Sequence, residues 1–341
     1  MTVASARRPH GLTAGDVTRL GSDSDRRAPQ RWVFTATWFV VVTLLTGCAP
    51  AGTPQLEPSI SDIPRISSPD QVEFPINSYL PSDEQNVAMM LEGLHLVNEC
   101  RAAEGDTGTS QIVLTRQGVD PSAATQPGAS VADLTRYVAA WRRDAVTFSG
   151  MWQFFDPDNA ADYGYQRPPN ELPNLMLTGS GSAVMACMDR VRSISPGGQV
   201  VGPFMVGDLP DGGSQWQAND SRYVAVEKQW ADCMAAAGFD YATPKDAIGQ
   251  NYQASTATDK ARATAVAVAD VQCKIQTNLV GVAVAVQSAY DQIYIDSHRD
   301  QLAALQTQIA DYIAGGVTVP ASAPPTTVST APSLPAGSVH S

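Results

Sequence analysis

The chain has 341 residues, a formal net charge of −12 at neutral pH and 43% apolar residues. Six arginines and three aspartates lie in the first 48 residues, so the remainder of the chain carries a net charge of −15. Such an acidic body argues against nucleic-acid binding and against electrostatic adsorption to an anionic membrane, because both require a basic surface.

Residues 32–48, with the sequence WVFTATWFVVVTLLTGC, follow a leader that contains six arginines. A basic segment, a short apolar run and small residues at its end are typical of a signal peptide. As a helix, the apolar run would be about 21 Å long, against a hydrocarbon core of about 30 Å. We therefore predict a signal peptide over residues 1–47. The alternative, an uncleaved membrane anchor, is disfavoured because helix-breaking residues follow Gly47 at once.

The end of this run, Leu45-Thr46-Gly47-Cys48, resembles the lipobox of bacterial lipoproteins. In those proteins the cysteine thiol accepts a diacylglycerol, and the signal is then cut just before the cysteine. The resemblance implies that Cys48 carries acyl chains such as palmitate. It also implies that this lipid anchors the mature protein to the extracellular face of the cell membrane. Two or more chains suffice for stable anchoring, at about 0.8 kcal/mol per buried methylene.

The mature chain divides into four segments by composition. Residues 48–73 are rich in Pro and Ser without an apolar period, which predicts a flexible, lipid-anchored linker. The fold is expected to begin near Phe74. We predict a first helical half over residues 74–213, a second over residues 214–314, and a disordered Pro/Ser/Thr-rich tail over residues 315–341.

The first half opens with a clear helix signal. Ser82 and Gln85 have the spacing of a capping box, and Gly105 is suited to end the helix that follows. His95 lies close to the apolar face of this helix. We interpret it as a packed core histidine rather than a metal ligand or base, because no second histidine is nearby. Residues 111–115 allow one short strand.

Beyond a second helix near Ser130, aromatic residues are interleaved with Asp156, Asp158 and Asp162. Aromatic rings beside carboxylates occur in sugar-binding clefts and in glycosidase pairs. Asp-Pro-Asp also faintly suggests calcium, but alanines stand where a calcium loop needs a further oxygen ligand and a glycine. Core packing under a long loop is the favoured interpretation, with ligand contact as the alternative.

The second half has stronger helix signals. Asp220 or Ser221 caps a helix that Gly238 ends, and Thr243 with Pro244 starts a short helix.

Two long helical patterns complete the second half, over residues 261–276 and 279–313. The second pattern would give a helix about 50 Å long. Its apolar seam shifts across the charged residues 296–300, which we interpret as a solvated turn rather than a docking point for a partner.

Four cysteines remain once Cys48 is assigned to lipid, an even number that predicts two disulfides in an oxidising compartment. Three pairings are formally possible. Residues 98–105 and 231–238 echo each other, since each places a cysteine five residues before a glycine stop and each precedes one more cysteine. This echo favours the pairings Cys100 with Cys187 and Cys233 with Cys273. A tetracysteine zinc site is disfavoured because no Cys-x-x-Cys pair occurs, and we expect no metal or other cofactor.

Several motifs together resemble a broad group of uncharacterised secreted lipoproteins of high-GC Gram-positive bacteria. They are Phe74 with Tyr79-Leu80, the four paired cysteines, Tyr163-Gly164-Tyr165, the Trp230-Ala231-Asp232-Cys233-Met234 run with Gly238-Phe239, and the segment VADVQCK over residues 268–274. The likeness covers most of residues 74–313. The group often has Met after its first cysteine and glycines before its second, where this chain has Arg101 and VMA over residues 184–186. The resemblance implies location and disulfides, and no activity.

These observations predict a mainly α-helical, non-catalytic cell-envelope lipoprotein that acts as an adaptor or binding module for an envelope protein or wall polymer. One alternative is the ligand-binding lipoprotein of a transporter, which usually needs alternating strands and helices in two lobes. The other is a wall-polymer hydrolase. The chain has no Gly-x-Ser-x-Gly, Ser-x-x-Lys or His-Glu-x-x-His motif. Asp156 and Asp162 are the only catalytic suggestion.

Overall fold

A computed structural model describes residues 57–60, 62–116, 127–148, 150–169, 171–179 and 181–320. Within these residues the chain forms nine α-helices and one small antiparallel sheet. The predicted signal peptide, Cys48 and the predicted tail from residue 321 onward lie outside the described residues. In the part that is described, no helix combines the length and hydropathy needed to cross a membrane.

The elements follow in chain order. They are α1 (Asp83–Ala103), β1 (Ile112–Thr115), α2 (Val131–Phe148), α3 (Pro157–Tyr163), β2 (Asn174–Leu177), α4 (Ser182–Arg192), α5 (Ser221–Ala236), α6 (Pro244–Asn251), α7 (Ala257–Thr277), α8 (Leu279–Ser297) and α9 (Arg299–Ile313). β1 and β2 pair antiparallel, with Ile112 opposite Leu177. The mainly α-helical fold predicted from the sequence is confirmed.

Local capping residues set several helix ends where the sequence places them. The Ser82 hydroxyl accepts from the Gln85 amide at 3.2 Å, and the Gln85 side chain accepts from the Ser82 amide at 2.9 Å. Thr243 caps α6 in the same way, by accepting from the Asp246 amide at 3.2 Å. These bonds satisfy amides that have no partner inside the helix, so the predicted starts of α1 and α6 follow from the sequence alone.

The fold begins earlier than the predicted Phe74. Ile66 and Val72 are buried in the core. The Ile66 amide donates to the Asn278 side chain at 3.3 Å, and that side chain donates to the Pro64 carbonyl at 2.9 Å. A Cβ on Gly281 would lie 2.0 Å from the same carbonyl, so the glycine lets this segment lie against α8. The described part of the predicted linker is therefore docked on the helices, through backbone contacts that its composition does not reveal.

Two large hydrophobic clusters organise the helices, and both include residues from each side of position 214. The first joins residues 151–165 to α5, α7 and α8. The second joins α1 and α4 to α9 and the end of α8. A smaller cluster packs α1 against α2 and β1. The two helical halves thus share their cores.

The C-terminal helical pattern is divided in two at His298, between α8 and α9. The His298 ring stacks on Tyr294 with centroids 4.2 Å apart, and its Nε2 lies 3.2 Å from an Asp211 carboxylate oxygen. Most of the residues at 296–300 are exposed, as expected for a solvated turn. Because α8 begins in the first large cluster and α9 lies in the second, the break carries the chain from one core to the other.

Both disulfides have the predicted pairing. Cys100 bonds to Cys187 and joins α1 to α4, while Cys233 bonds to Cys273 and joins α5 to α7. The Cα atoms are 5.7 Å apart in each bridge, within the usual range for disulfides. The residues are separated in sequence by 87 and 40 positions, so each bond closes a long loop.

We predict that both bonds contribute strongly to stability. Replacing Cys233 and Cys273 by serine should lower the free energy of unfolding by about 4 kcal/mol, and replacing Cys100 and Cys187 by slightly more, because cross-links restrict the unfolded chain. Urea unfolding monitored by circular dichroism would measure both losses. A loss below about 1 kcal/mol for either pair would contradict this expectation.

Candidate functional site

The aspartates singled out from the sequence have structural partners. Asp156 caps α3: one carboxylate oxygen accepts from the amides of Asp158 and Asn159, both at 3.1 Å. Its other oxygen lies 3.2 Å from the Arg143 guanidinium. Asp158 and Asp162 are exposed on α3. Both carboxylate oxygens of Asp156 therefore hold α3 and α2 in place. In the suggested catalytic pair of Asp156 and Asp162, Asp156 thus already has a structural role.

Four aromatic residues on either side of these aspartates in sequence belong to the first large cluster. Trp152, Phe154, Phe155 and Tyr165 are each no more than 2% exposed. Phe154 and Tyr165 meet edge to face, with ring centroids 5.2 Å apart. The core-packing interpretation is confirmed for these four rings.

His95 is exposed, and its prediction as a core histidine is wrong. Its side chain is 59% exposed, and its Nε2 lies 3.3 Å from Glu99 one turn further on. α1 packs on two sides, through Val97 and Cys100 toward α4 and α9 and through Met90 toward α2. His95 falls on the strip between them that faces water, which the apolar pattern alone did not distinguish.

A buried polar network lies on α7 beside the second disulfide. Asp270 and Lys274 are both fully buried, and the Lys274 ammonium donates to Asp270 at 2.8 Å and to the Phe154 carbonyl at 2.6 Å. The Trp230 indole N–H and the Tyr165 hydroxyl also donate to Asp270, at 2.9 and 3.2 Å. Asp270 thus receives three donors, as a buried carboxylate requires.

The sequence contains a signal for this network that we did not use. Asp270 and Lys274 are spaced i, i+4 within the apolar run that carries Cys273, so both face the core. Burial raises the pKa of Asp270 and lowers the pKa of Lys274, while their mutual attraction acts in the opposite direction for each. The pair anchors α5 and the aromatic loop before α3 to one turn of α7.

We predict that the pair is stabilising only while it is complete. Lys274→Met should cost about 3–5 kcal/mol, because it leaves the buried Asp270 charge uncompensated. The double variant Asp270→Asn/Lys274→Met should recover much of this loss, since asparagine keeps an acceptor for the Trp230 N–H and carries no charge. Urea unfolding of the two variants and the parent tests this. Equal losses for both variants would show that the charge is not the cause.

Asp291 is a second buried carboxyl, placed on α8 near the turn at residues 75–79. It is 1% exposed and forms no ion pair with any described residue. The Gln287 amide donates to it at 2.8 Å and also reaches the Ser214 hydroxyl at 3.0 Å. Burial raises the pKa of Asp291, and hydrogen bonds from Ser214, Gln287 and the Ile76 amide partly oppose this shift.

We predict that Asp291 makes the protein less stable as pH rises. Because its folded-state pKa lies above its unfolded value, the folded state binds the proton more tightly, and this stabilisation is lost as pH rises through the folded-state pKa. Asp291→Asn should therefore gain stability over the parent between pH 4 and neutrality. Urea unfolding of both proteins across this range measures the difference. A pH-independent difference would contradict the assignment.

A cleft with a volume of about 570 Å³ lies where α6 ends and α7 begins. Its lining residues are Tyr241, Ile248, Gly249, Gln250, Asn251, Tyr252, Gln253, Ala254, Asp259 and Arg262. Thr256 and Asp259 form the capping box that starts α7 and thereby fix one wall. Asp259 belongs to this capping box, and none of the lining residues belongs to a motif that the sequence predicts to bind a ligand.

Two nearly buried side chains line the inner part of this cleft. Asn251 is 8% exposed, and its amide nitrogen donates to the Tyr241 hydroxyl at 2.8 Å and to the Ala247 carbonyl at 2.7 Å. These bonds use both hydrogens of the amide. Among the described residues, no donor reaches the Asn251 amide oxygen and no acceptor receives the Tyr241 hydroxyl hydrogen. One acceptor and one donor are therefore left for a ligand.

The outer part of the cleft carries one aromatic ring and two opposite charges. Tyr252 is 40% exposed, and its carbonyl accepts from the Gln166 side chain, which fixes its backbone. Arg262 is exposed and has no ion-pair partner among the described residues. Asp259 accepts from the Thr256 hydroxyl at 2.6 Å. The lining thus offers hydrogen bonds of both kinds and a net formal charge of zero. No protein-family model, curated protein or solved structure matches the chain.

Proposed function

We propose that this protein is a non-catalytic lipoprotein of the cell envelope, anchored by acylated Cys48 to the outer face of the membrane, where it acts as a binding module or adaptor. The observation that carries the proposal is the pairing of the other four cysteines. Two structural disulfides are typical of proteins that fold in an oxidising compartment. Cys48 is then the one cysteine left over, and it stands in the lipobox-like sequence.

The α6–α7 cleft supports the binding part of the proposal. Its volume of about 570 Å³ falls within the roughly 300–1,000 Å³ of small-molecule sites. Asn251 and Tyr241 line it, each with one hydrogen-bonding group that has no partner among the described residues, and so does the exposed Tyr252. Asp156, which the sequence offered for catalysis, is committed to α3 and Arg143.

The acidic composition is consistent with lipid as the anchor. A net charge of −15 after residue 48 would repel an anionic leaflet, so charge cannot hold the folded part at the surface. Two or more acyl chains provide attachment that does not depend on charge.

We predict that Cys48 is the acylation site. Cells of a Gram-positive host fed an alkyne analogue of palmitate should label the parent protein in the membrane fraction, with a mature N-terminus at Cys48. Cys48→Ser should abolish the label and leave the signal peptide uncleaved, because no thiol accepts the lipid and cleavage follows that step. Mass spectrometry of the mature protein measures processing, acylation and both disulfides together.

Ala49→Ser is the matched control, since it changes the neighbouring residue and keeps the acyl acceptor. It should be labelled and retained like the parent. An unlabelled parent protein, or a Cys48→Ser protein that stays labelled, would overturn the proposal.

A further inference from the structure

We propose that the α6–α7 cleft binds an uncharged saccharide, with Tyr252 as the surface on which a sugar ring stacks. This inference rests on the proposed function as a binding module and names the class of its ligand. Four features of the cleft lead to it: its charge balance, its unused hydrogen-bonding groups, its exposed ring and its size.

The charge balance favours an uncharged ligand. Arg262 and Asp259 lie on the same wall and carry opposite formal charges. An anion that bound Arg262 would be repelled by Asp259, and a cation that bound Asp259 would be repelled by Arg262. Phosphate groups are bound strongly by charge-assisted bonds from Arg and Lys, whereas Arg262 is the one cationic side chain among the described residues that line the cleft, and Asp259 lies beside it. No described group of His, Cys, Asp and Glu residues could hold a metal ion that altered this balance.

The unused groups of Asn251 and Tyr241 match a hydroxyl. The Asn251 oxygen can accept a hydrogen bond, and the Tyr241 hydroxyl can donate one. A sugar hydroxyl both donates and accepts, so one such group satisfies both. An apolar ligand would leave these nearly buried polar atoms without partners, at an energetic cost. The amides of Gln250 and Gln253 add further donors and acceptors for neighbouring hydroxyls.

The exposed ring supplies apolar contact. Tyr252 lines the cleft and is 40% exposed, while its backbone is fixed through Gln166. The C–H face of a sugar ring can pack on an aromatic ring and remove apolar surface from water on both sides. Arg262 can then donate to hydroxyls at the edge of that sugar through its planar fork of N–H groups. Arg262 has no hydrogen-bond or ion-pair partner among the described residues, so these donors are available to a ligand.

The test is isothermal titration calorimetry on the full mature protein in detergent micelles. The probes are neutral oligosaccharides built from glucose, mannose, galactose, arabinose or N-acetylglucosamine. We expect saturable binding of at least one. Tyr252→Ala should weaken it tenfold or more by removing the stacking surface, and Arg262→Ala should weaken it several-fold. Both residues are exposed, so neither variant should unfold.

Two control variants match these changes outside the lining. Tyr163→Ala removes a tyrosine that is 43% exposed on α3, and Lys260→Ala removes a cation exposed on α7. Both should bind like the parent. Affinity unchanged in Tyr252→Ala and Arg262→Ala would overturn the assignment to this cleft.

The ligand class and the proposed function can fail separately. Binding of phosphate or of a uronic-acid oligosaccharide in preference to every neutral probe would overturn the uncharged class. Absence of binding to all the neutral probes by folded, acylated protein would overturn the saccharide inference while leaving the envelope lipoprotein in place. Absence of palmitate label on Cys48 in the same preparation would instead count against the proposed function.

Discussion

The buried pair of Asp270 and Lys274 is the interaction on which the remaining packing depends. It lies on one turn of α7 and collects the Trp230 indole from α5, the Tyr165 hydroxyl after α3 and the Phe154 carbonyl before it. Each of these groups would be an unsatisfied polar group without the pair, and each charge would be isolated without the other. The Trp230 and Tyr165 rings can be buried because their polar atoms find an acceptor in Asp270. A single charged pair thus fixes the orientation of three segments around one helix.

Features that depend on neighbouring residues were predictable from the sequence. The capping box at Ser82, the cap at Thr243 and the glycine stops at Gly105 and Gly238 concern a few consecutive positions, where side-chain chemistry alone decides the outcome. The disulfides were predictable for a different reason. Four cysteines allow few pairings, and the repeated pattern around Cys100 and Cys233 singled out one of them.

Features that depend on distant residues were not predictable. Asn278 binds Pro64 and Ile66 across more than 200 positions, so composition could not show that the segment before Phe74 is docked. His95 lies on an outer strip because α1 packs on two sides, against helices whose placement the sequence does not give. The cleft likewise arises from the angle between two ordinary helices. Its residues are tyrosines, amides and one charge pair, which individually are typical of any exposed surface.

The position of the second disulfide has a consequence for the cleft. Every residue that lines it, from Tyr241 to Arg262, lies between Cys233 and Cys273. The segment that lines the cleft therefore belongs to a loop that the Cys233–Cys273 disulfide closes covalently. This disulfide joins α5 to α7, the helix that carries the buried pair. Substitutions at the exposed positions of the cleft can therefore change its lining without altering the buried Asp270, which lies in the same loop.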